Sequence, residues 1–268
     1  MWVAAVQLKA TPDQEANLAR AEALIEEAAS QGAQLVALPE HCACYGRVAD
    51  TTAAAQPLDG PLVSRFKKLA ARLRIFLLPG SFLERTPGKA RPNNTSVLID
   101  PRGQIIACYR KMHLYDVDVP GGPVYRESEW TQPGEEVVTA ALPGQPFTAG
   151  LALCYDLRFP ELFRQQVDQG ANLILLPSAF MAATGRDHWE VLLRARAIEN
   201  LAYVVAPNQY GEHAPGLRSY GRSLIVDPWG TILAQAPDGE GVICARLDYE
   251  RLQHLRRSLP VLSHRRLR

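Results

Sequence analysis

Three side chains of different reactivity each follow an apolar stretch of the sequence. Glu40 ends the segment LVALPE, Lys111 lies in CYRKMHLYD, and Cys154 follows the apolar residues of GLALC. Taken singly, each has an ordinary interpretation, because charged side chains usually face water and most buried cysteines are inert. Taken together, they offer a thiol nucleophile, a carboxylate that can move protons and a cation that can stabilise negative charge. The set predicts covalent catalysis, provided that the three strand ends converge on one crevice.

Cys154 lies where an apolar strand is expected to run into a tight turn and then into a helix that begins near Pro160. Open α/β sheets bind ligands at the carboxyl ends of their strands. The partial positive charge of a helix N-terminus also favours a thiolate. This position therefore indicates a nucleophile, with a packing residue at the strand end as the alternative.

The segments around these residues belong to an internal repeat, because three stretches of the first half recur in the same order in the second. The recurring pairs are QGAQLVALPE (31–40) with QGANLILLPS (169–178), RIFLLPG (74–80) with YVVAPNQ (203–209), and SVLIDPRGQII (96–106) with SLIVDPWGTIL (223–233). Two copies are too few for a solenoid. The repeat predicts one pseudo-symmetric domain of two related halves over residues 1–268, without a linker.

Each half alternates predicted helices and strands. In the first half, apolar residues at helical spacing predict one helix that ends near Gly32 and another that starts after Asp59-Gly60-Pro61, with a cap there and proline in the first turn. In the second half they predict a helix from about Pro160 and a later one with an apolar face at Val191, Ala195, Ile198 and Ala202. Each helix precedes an apolar strand, and each half ends in a predicted hairpin.

The apolar strands constrain the architecture. An unbroken run such as LILL must be covered on both faces. Two sheets, each with helices on its outer side, meet this need by stacking as four layers, α-β-β-α. A three-layer doubly wound fold satisfies the same pattern, so the pattern alone leaves both architectures open.

Composition narrows the class of partner. The 268 residues include 29 basic and 28 acidic side chains, a net charge of +1, which argues against nucleic acid or a membrane surface and favours a small molecule. No apolar run approaches the roughly 20 residues of a membrane helix, and MWVAAVQLKA lacks the features of a signal peptide. The odd set of cysteines predicts a reducing, cytoplasmic location: Cys42, Cys44, Cys108, Cys154 and Cys244. The glycosylation sequons at Asn93 and Asn94 are then chance occurrences.

The sequence resembles the nitrilase, or carbon–nitrogen hydrolase, superfamily over almost its whole length. The three family signatures occur in order as LVALPE with Glu40, YRKMHL with Lys111 and LALCYDLRFPEL with Cys154. The resemblance implies a four-layer α-β-β-α sandwich with an internal duplication, which agrees with the repeat. It also implies that Glu127 is a second glutamate that orients the site, the alternative being an ordinary loop charge.

Further segments resemble the deaminated glutathione amidase branch of that superfamily and its omega-amidase relative. They are HLYDVDVPGG with Glu127-Ser128, SAFMAATGRDHWEVLLRARAIEN, SYGRSLIVDPWGT and LRRSLPVLSHRR. The resemblance implies an amidase for a small 2-oxo acid amide, with 2-oxoglutaramate or 2-oxosuccinamate as alternative substrates, and a homodimer or higher oligomer. Nitrile and N-carbamoyl hydrolysis use the same three residues, and an inert interaction module is the alternative from a different class.

The chemistry of amide hydrolysis suggests a role for each residue. A free thiol has a pKa of about 8.5, so Cys154 needs activation, and Glu40 can take its proton, protonate the departing amine and then activate water. Lys111 and the backbone N–H of Tyr155 are expected to stabilise the oxyanion. We also expect Lys111 to lower the thiol pKa and burial to raise the pKa of Glu40.

The substrate carboxylates call for an arginine, whose planar fork matches them. Arg158 is the first candidate, with an ion pair to Glu161 as its alternative, and Phe180 and Thr184 are expected to line the same pocket. No cofactor is expected.

Two other chemistries compete with this assignment. A papain-like pair of Cys154 with His113, His188 or His213 has no matching local signature. A metal site at His41, Cys42 and Cys44 is disfavoured, because ligands so close in sequence do not close on one ion without strain.

Overall fold

The computed structural model describes residues 1–118 and 124–267. Residues 119–122 of the HLYDVDVPGG segment lie outside the described residues. The described helices are α1 Gln14–Ser30, α2 Val48–Ala53, α3 Pro61–Leu73, α4 Pro160–Asp168, α5 Ala182–Asn200 and α6 Tyr249–Ser258. The described strands are β1 Trp2–Gln7, β2 Leu35–Ala37, β3 Phe76–Leu78, β4 Phe82–Glu84, β5 Asn93–Ile99, β6 Ile105–Arg110, β7 Asp116–Asp118, β8 Val124–Arg126, β9 Thr139–Ala141, β10 Thr148–Leu151, β11 Leu173–Leu175, β12 Tyr203–Ala206, β13 Tyr210–Ala214, β14 Leu217–Tyr220, β15 Leu224–Val226, β16 Ile232–Gln235 and β17 Gly241–Arg246.

The strands form two large mixed sheets with the same topology. The first runs β17-β1-β2-β3-β5, with β4 and β6 both paired to β5, and the second runs β9-β10-β11-β12-β15-β16. In each sheet three parallel strands lie in the middle, β1-β2-β3 or β10-β11-β12, and antiparallel strands flank them. The predicted duplication is thus confirmed in the topology. Two short ribbons, β7-β8 and β13-β14, complete the described strands.

Strand alternation explains how the first sheet is covered on both faces. Val3 and Ala5 of β1 belong to the apolar cluster that also contains the second sheet, whereas Ala4 and Val6 pack with the helices α1 and α3. Successive side chains of a strand point to opposite faces, so this sheet has one face toward its partner sheet and one toward helices. Helices α4 and α5 contact β10 and β12 of the second sheet. The layers are therefore α-β-β-α, as the resemblance implied.

Helix α5 forms where it was predicted, but it buries a different face. Val191 is 67% exposed and Ile198 is 45% exposed, while Ala202 lies beyond the end of the helix. The buried face includes Arg196 and Asn200 together with apolar residues. Arg196 is buried because its guanidinium donates two hydrogen bonds to the Leu157 carbonyl, at 3.0 and 2.8 Å. A hydrophobicity pattern assigns such polar residues to solvent, which is why the predicted face was wrong.

The start of α3 differs from the expectation in one detail. Gly60 occupies the N-cap position, with no side-chain cap, and Pro61 is the first helical residue. The backbone N–H of Leu62 instead donates to the side-chain carbonyl of Gln56 at 2.9 Å. Gln56 thereby satisfies one of the amide groups that a helix start leaves without an internal partner.

Within the described part of the chain, no helix combines the length and the apolar character needed to cross a membrane.

Candidate active site

Glu40 lies three residues beyond β2 and is only 2% exposed. Its Oε1 accepts hydrogen bonds from the Lys111 Nζ at 3.0 Å and from the Asn94 Nδ2 at 2.9 Å. Its Oε2 accepts the backbone N–H of Ala179 at 2.9 Å. Both carboxylate oxygens are therefore held by donors from distant parts of the chain, and the carboxylate has a fixed orientation.

Lys111 follows directly after β6, and its ammonium group is buried between two carboxylates. Nζ lies 3.0 Å from Glu40 Oε1 and 2.8 Å from Glu127 Oε2. The Lys111 backbone is also fixed, because its N–H donates to the Asn94 carbonyl and its carbonyl accepts the N–H of Gly134, both at 2.8 Å. The arrangement leaves the ammonium little freedom to move.

Glu127 is 1% exposed, so the alternative of a solvated loop charge is wrong. Besides the lysine, its Oε2 accepts the backbone N–H of Tyr115 at 2.7 Å. Its Oε1 lies 3.4 Å from the Asn94 Nδ2. Glu127 therefore holds Lys111 from the side opposite Glu40.

Cys154 begins a short 3-10 turn, Cys154–Arg158, that follows β10. Its φ angle is +46°, in the left-handed region that costs a residue with a Cβ of order 1 kcal/mol. A hydrogen bond from its N–H to the Pro177 carbonyl, 3.0 Å, helps to hold this conformation. The thiol lines the same cavity as the Glu40 carboxylate and the Lys111 ammonium.

Burial and charge set the protonation states of these groups. Burial raises the pKa of the Cys154 thiol, the Glu40 charge raises it further, and the Lys111 ammonium offsets this only in part, so the value stands well above normal. For Glu40, burial opposes ionisation, yet the Lys111 charge and hydrogen bonds from Cys154 and Lys111 leave the pKa below its usual value. Burial likewise opposes the charge of Lys111, but Glu127 and Glu40 keep its pKa well above normal.

The net directions differ from those that the two expected effects would give alone. Lys111 does lower the thiol pKa, as expected, but burial and the Glu40 charge outweigh it. Burial does oppose ionisation of Glu40, as expected, but the Lys111 charge and the hydrogen bonds together outweigh it. At neutral pH the site therefore holds an ionised Glu40 beside a protonated thiol.

The side chains line a cavity that contains about 440 Å³ of empty space, its open mouth included. All four residues predicted to bind substrate lie on its wall: Tyr155, Arg158, Phe180 and Thr184. Further aromatic residues line it as well: His41, Tyr45, Tyr115, Tyr125 and Trp130. The cavity thus combines an apolar wall with a small number of charged groups, as small-molecule sites usually do.

Arg158 presents a cation to this cavity. Its guanidinium carbon lies 5.1 Å from the centre of the Phe180 ring and 5.8 Å from that of Tyr155. Its Nη1 is 3.2 Å from Nδ1 of His188. Within residues 1–118 and 124–267, no carboxylate lies within salt-bridge distance of it, so the alternative of an ion pair to Glu161 is not observed.

The histidines considered for a papain-like pair have other partners. His113 contacts Asp156, His188 contacts Arg158, and His213 donates from Nδ1 to the Ala10 carbonyl and contacts the Ser219 hydroxyl through Nε2. The thiols of Cys42 and Cys44 contact backbone carbonyls.

Sequence reasoning missed two groups that contact Glu40. Asn94 stands out in the sequence only as part of a sequon, and no pattern there indicates that its amide contacts both glutamates. The Ala179 N–H could have been found from the internal repeat. Glu40 and Ser178 hold equivalent positions in its two copies, so Ala179 follows the strand end that corresponds to the glutamate.

The fold and the site together define a hydrolase of carbon–nitrogen bonds with a cysteine at its centre. Consistent with this, the family model of carbon–nitrogen hydrolases matches residues 2–257. The chain therefore belongs to the carbon–nitrogen hydrolase family and is a hydrolytic enzyme of the amidase type.

Individual relatives are more specific. The chain is 42% identical over 268 residues to the deaminated glutathione amidase of Mus musculus. The alignment covers 98% of this chain and 83% of the relative. It is 41% identical over 263 residues to the deaminated glutathione amidase of Synechocystis sp. That alignment covers 98% of this chain and 97% of the relative. Among solved structures, Saccharomyces cerevisiae Nit3, a member of branch 10 of the nitrilase superfamily, aligns with a TM-score of 0.89 at 34% identity, over 100% of this chain and 97% of that one.

Proposed function

We propose that this enzyme hydrolyses deaminated glutathione, the amide between a 2-oxo acid and cysteinylglycine, through a thioester on Cys154. The observation that carries the proposal is the contact of Glu40 with Lys111 in a cavity that Cys154 also lines and whose wall bears the Arg158 cation. The arrangement of Glu40, Lys111 and Cys154 suits amide cleavage, and the Arg158 cation suits a substrate with a carboxylate. Two relatives that align along nearly the whole chain carry the name of this activity.

In the acylation step, the Cys154 sulfur attacks the amide carbonyl while Glu40 takes the thiol proton. Because the thiol pKa is raised and the Glu40 pKa is lowered, the proton moves as the carbon–sulfur bond forms and not before. The protonated Glu40 then donates this proton to the amide nitrogen as the carbon–nitrogen bond breaks. The amine leaves, and the acid portion remains as a thioester.

Deacylation reuses the same carboxylate. Glu40, ionised again, takes a proton from a water molecule that attacks the thioester carbonyl. The carbon–sulfur bond breaks, the departing sulfur receives the proton from Glu40, and the 2-oxo acid is released. Each cycle consumes one amide and one water and returns Glu40 and Cys154 to their starting states.

The oxyanion of both tetrahedral intermediates requires a fixed donor. Lys111 supplies the charge, with the Tyr155 N–H beside the nucleophile as the second donor, and such a donor is worth about 3 to 4 kcal/mol. Glu127 and Glu40 hold the ammonium in place before substrate arrives. This preorganisation removes the cost of moving the charge during the reaction.

Substrate selection is assigned to Arg158, Phe180 and Thr184. An arginine that is stacked on two rings keeps its planar fork in one orientation, which suits a carboxylate at that end of the cavity. Phe180 and Thr184 then contact the chain of the substrate.

A comparison of three substrates tests the proposal: deaminated glutathione, 2-oxoglutaramate and a simple nitrile. The first two release the same 2-oxo acid, so its formation gives one readout for both, and Cys154→Ala serves as the inactive control. We expect deaminated glutathione to have the highest kcat/KM. A higher kcat/KM for 2-oxoglutaramate would make the enzyme an omega-amidase, and turnover of the nitrile alone would overturn the amidase assignment.

We further propose that residues 1–268 act as one catalytic domain. Glu40 and Lys111 follow strands of the first sheet, whereas Cys154 and Ala179 follow strands of the second. Neither half can build the site alone. Separately expressed halves are expected to lack activity.

The proposed homodimer forms through the outer face of α5. Val191 is 67% exposed, Ile198 is 45% exposed and Trp229 is 56% exposed. The Arg194 guanidinium donates to the Gly230 carbonyl at 2.9 Å and so links α5 to the turn that carries Trp229. A double substitution of Val191 and Ile198 by glutamate should yield a monomer in light scattering, and an unchanged mass would refute this interface.

A cytoplasmic location is proposed because all five cysteines are free thiols. Such a set is typical of a reducing compartment.

A further inference from the structure

Asp156, two residues after the nucleophile, is a fully buried carboxylate with four hydrogen bonds. Its Oδ2 accepts the Tyr109 hydroxyl at 2.6 Å and the Leu153 N–H at 2.8 Å. Its Oδ1 accepts both the backbone N–H of His113, at 3.1 Å, and the ring Nδ1 of His113, at 2.7 Å. A buried carboxylate is costly unless its lone pairs are satisfied, and here each oxygen has two donors.

The donors come from two different parts of the site. Leu153 precedes Cys154, whereas Tyr109 and His113 lie two residues before and two residues after Lys111. The Tyr109 hydroxyl also accepts the N–H of Met112 at 3.2 Å. The Asp156 carboxylate thus accepts hydrogen bonds from residues on both sides of Lys111. It also accepts one from Leu153, which directly precedes Cys154.

The Lys111 segment and the Cys154 turn, which Asp156 connects, belong to different sheets. Lys111 continues β6 of the first sheet, and the cysteine turn continues β10 of the second. The hydrogen bonds inside either sheet do not fix the distance between the two residues, so contacts across the interface must do so. A stacked pair supports the same junction, since the rings of His113 and Phe159 lie 3.8 Å apart at an interplanar angle of 6°.

We propose that Asp156 is a positioning residue that sets the placement of the Lys111 ammonium relative to the Cys154 sulfur. It acts through Tyr109 and His113 and does not itself touch the reacting atoms. The inference concerns the same site and rests on the proposed thioester chemistry. Misplacing a catalytic group by about 1 Å can cost about 100-fold in rate, so the placement matters for turnover.

The test uses Tyr109→Phe, which removes one donor and little volume, with Tyr203→Phe as the matched control. Tyr203 is also a buried tyrosine whose hydroxyl bonds to the backbone, at Asp248, but it does not line the cavity. A third variant, Asp156→Asn, keeps the shape of the side chain and replaces an acceptor by a donor. For each protein we would measure kcat and KM for deaminated glutathione, the melting temperature, and the pH dependence of Cys154 alkylation by iodoacetamide without substrate.

We expect kcat of Tyr109→Phe to fall by about 10-fold with KM unchanged, and that of Asp156→Asn by about 100-fold. Because Lys111 lowers the thiol pKa, its displacement should also move alkylation of Cys154 to higher pH in Tyr109→Phe, which keeps the Asp156 charge. Tyr203→Phe should lose thermal stability without either change. If Tyr109→Phe only melts earlier and keeps the wild-type alkylation profile, Asp156 is structural and the proposal is overturned.

The alkylation measurement needs no substrate. If the wild type fails to hydrolyse the amide, the proposed function is wrong, while the alkylation profiles still decide the role of Asp156. If Asp156→Asn does not fold, the Tyr109→Phe result alone decides.

Discussion

The ends of β2 and β11 are the same element of the repeat used for two different purposes. The first copy ends in Leu-Pro-Glu40 and the second in Leu-Pro-Ser178. The Glu40 carboxylate accepts a hydrogen bond from the Lys111 ammonium, whereas among the described residues the Ser178 hydroxyl donates only to the nearby Leu176 carbonyl, at 3.2 Å. The second copy contributes through its backbone instead, because the N–H of Ala179 donates to Glu40.

The contrast between these two strand ends shows how a duplicated scaffold holds an asymmetric site. The repeat brings two equivalent strand ends to one cavity, and the backbone donor of one end orients the side chain of the other. A single change of residue type then separates the reactive end from the supporting end. The duplicated fold therefore places the two strand ends together, and the difference in residue type between them gives one end its chemistry.

The largest effect is expected from Glu40→Gln set against Ser178→Ala. Loss of the general base should lower kcat/KM by about 10³- to 10⁴-fold, whereas Ser178→Ala should change it by less than about threefold. Since the Glu40 charge raises the thiol pKa, Cys154 of the Glu40→Gln variant should also be alkylated at lower pH than that of the wild type. Comparable losses in both variants would remove the functional contrast between the two strand ends.

Lys111→Met should lower kcat by about 10²- to 10³-fold through loss of the oxyanion donor. It should also destabilise the fold by about 3 to 5 kcal/mol, because two buried carboxylates lose their cation. In the wild type the Glu40 pKa is depressed, so its contribution to stability is present above the unfolded value of 4.5 and is lost as pH falls through the folded value.

Without the lysine, Glu40 loses the largest influence that lowers its pKa, burial outweighs the remaining donors and the pKa rises, so the sign of this dependence reverses. The difference in melting temperature between Lys111→Met and the wild type should therefore be larger at pH 7 than at pH 5. An equal difference at both pH values would show that the pair is not coupled as described.

Arg158→Gln should raise KM for deaminated glutathione by about 10- to 100-fold. This corresponds to the loss of one hydrogen bond to a charged group, which contributes about 1.5 to 3 kcal/mol. Its kcat should change much less, because the guanidinium stays away from the reacting bond. Arg186→Gln is the matched control, since Arg186 is an exposed arginine that pairs with Asp187 and does not line the cavity. An unchanged KM in Arg158→Gln would remove Arg158 from substrate binding.

The smallest effect concerns wild-type activity across pH. The proposed reaction needs an ionised Glu40 and a protonated thiol. The Glu40 pKa lies below its usual 4.5 and the thiol pKa lies above its usual 9.0, so both forms are present between these values. We therefore expect kcat/KM to vary little between about pH 5 and pH 9. A profile that falls on the alkaline side near pH 7 would show that the proton held by Cys154 is lost near that pH, contrary to the raised thiol pKa.

Sequence reasoning recovered the elements that depend on local pattern. The helices at Gln14–Ser30 and Pro160–Asp168 and the hairpin of Asn93–Ile99 with Ile105–Arg110 follow from apolar spacing and turn residues. It failed at the buried face of Ala182–Asn200, where hydrogen bonds to Leu157 let Arg196 enter the core. Apolar spacing carries no information about a carbonyl that lies on another element.

The residue types and their repeat thus predicted two related halves and the three groups that could react, and the family signatures indicated the four-layer architecture. Only the tertiary structure decided how those groups are charged and which donors fix them. The protonation states of Glu40 and Cys154 depend on burial and on one ammonium between two carboxylates, and the Ala179 donor lies 139 residues from the glutamate it serves. Such properties arise from contacts between distant segments, because electric fields and hydrogen bonds act through space and not along the chain.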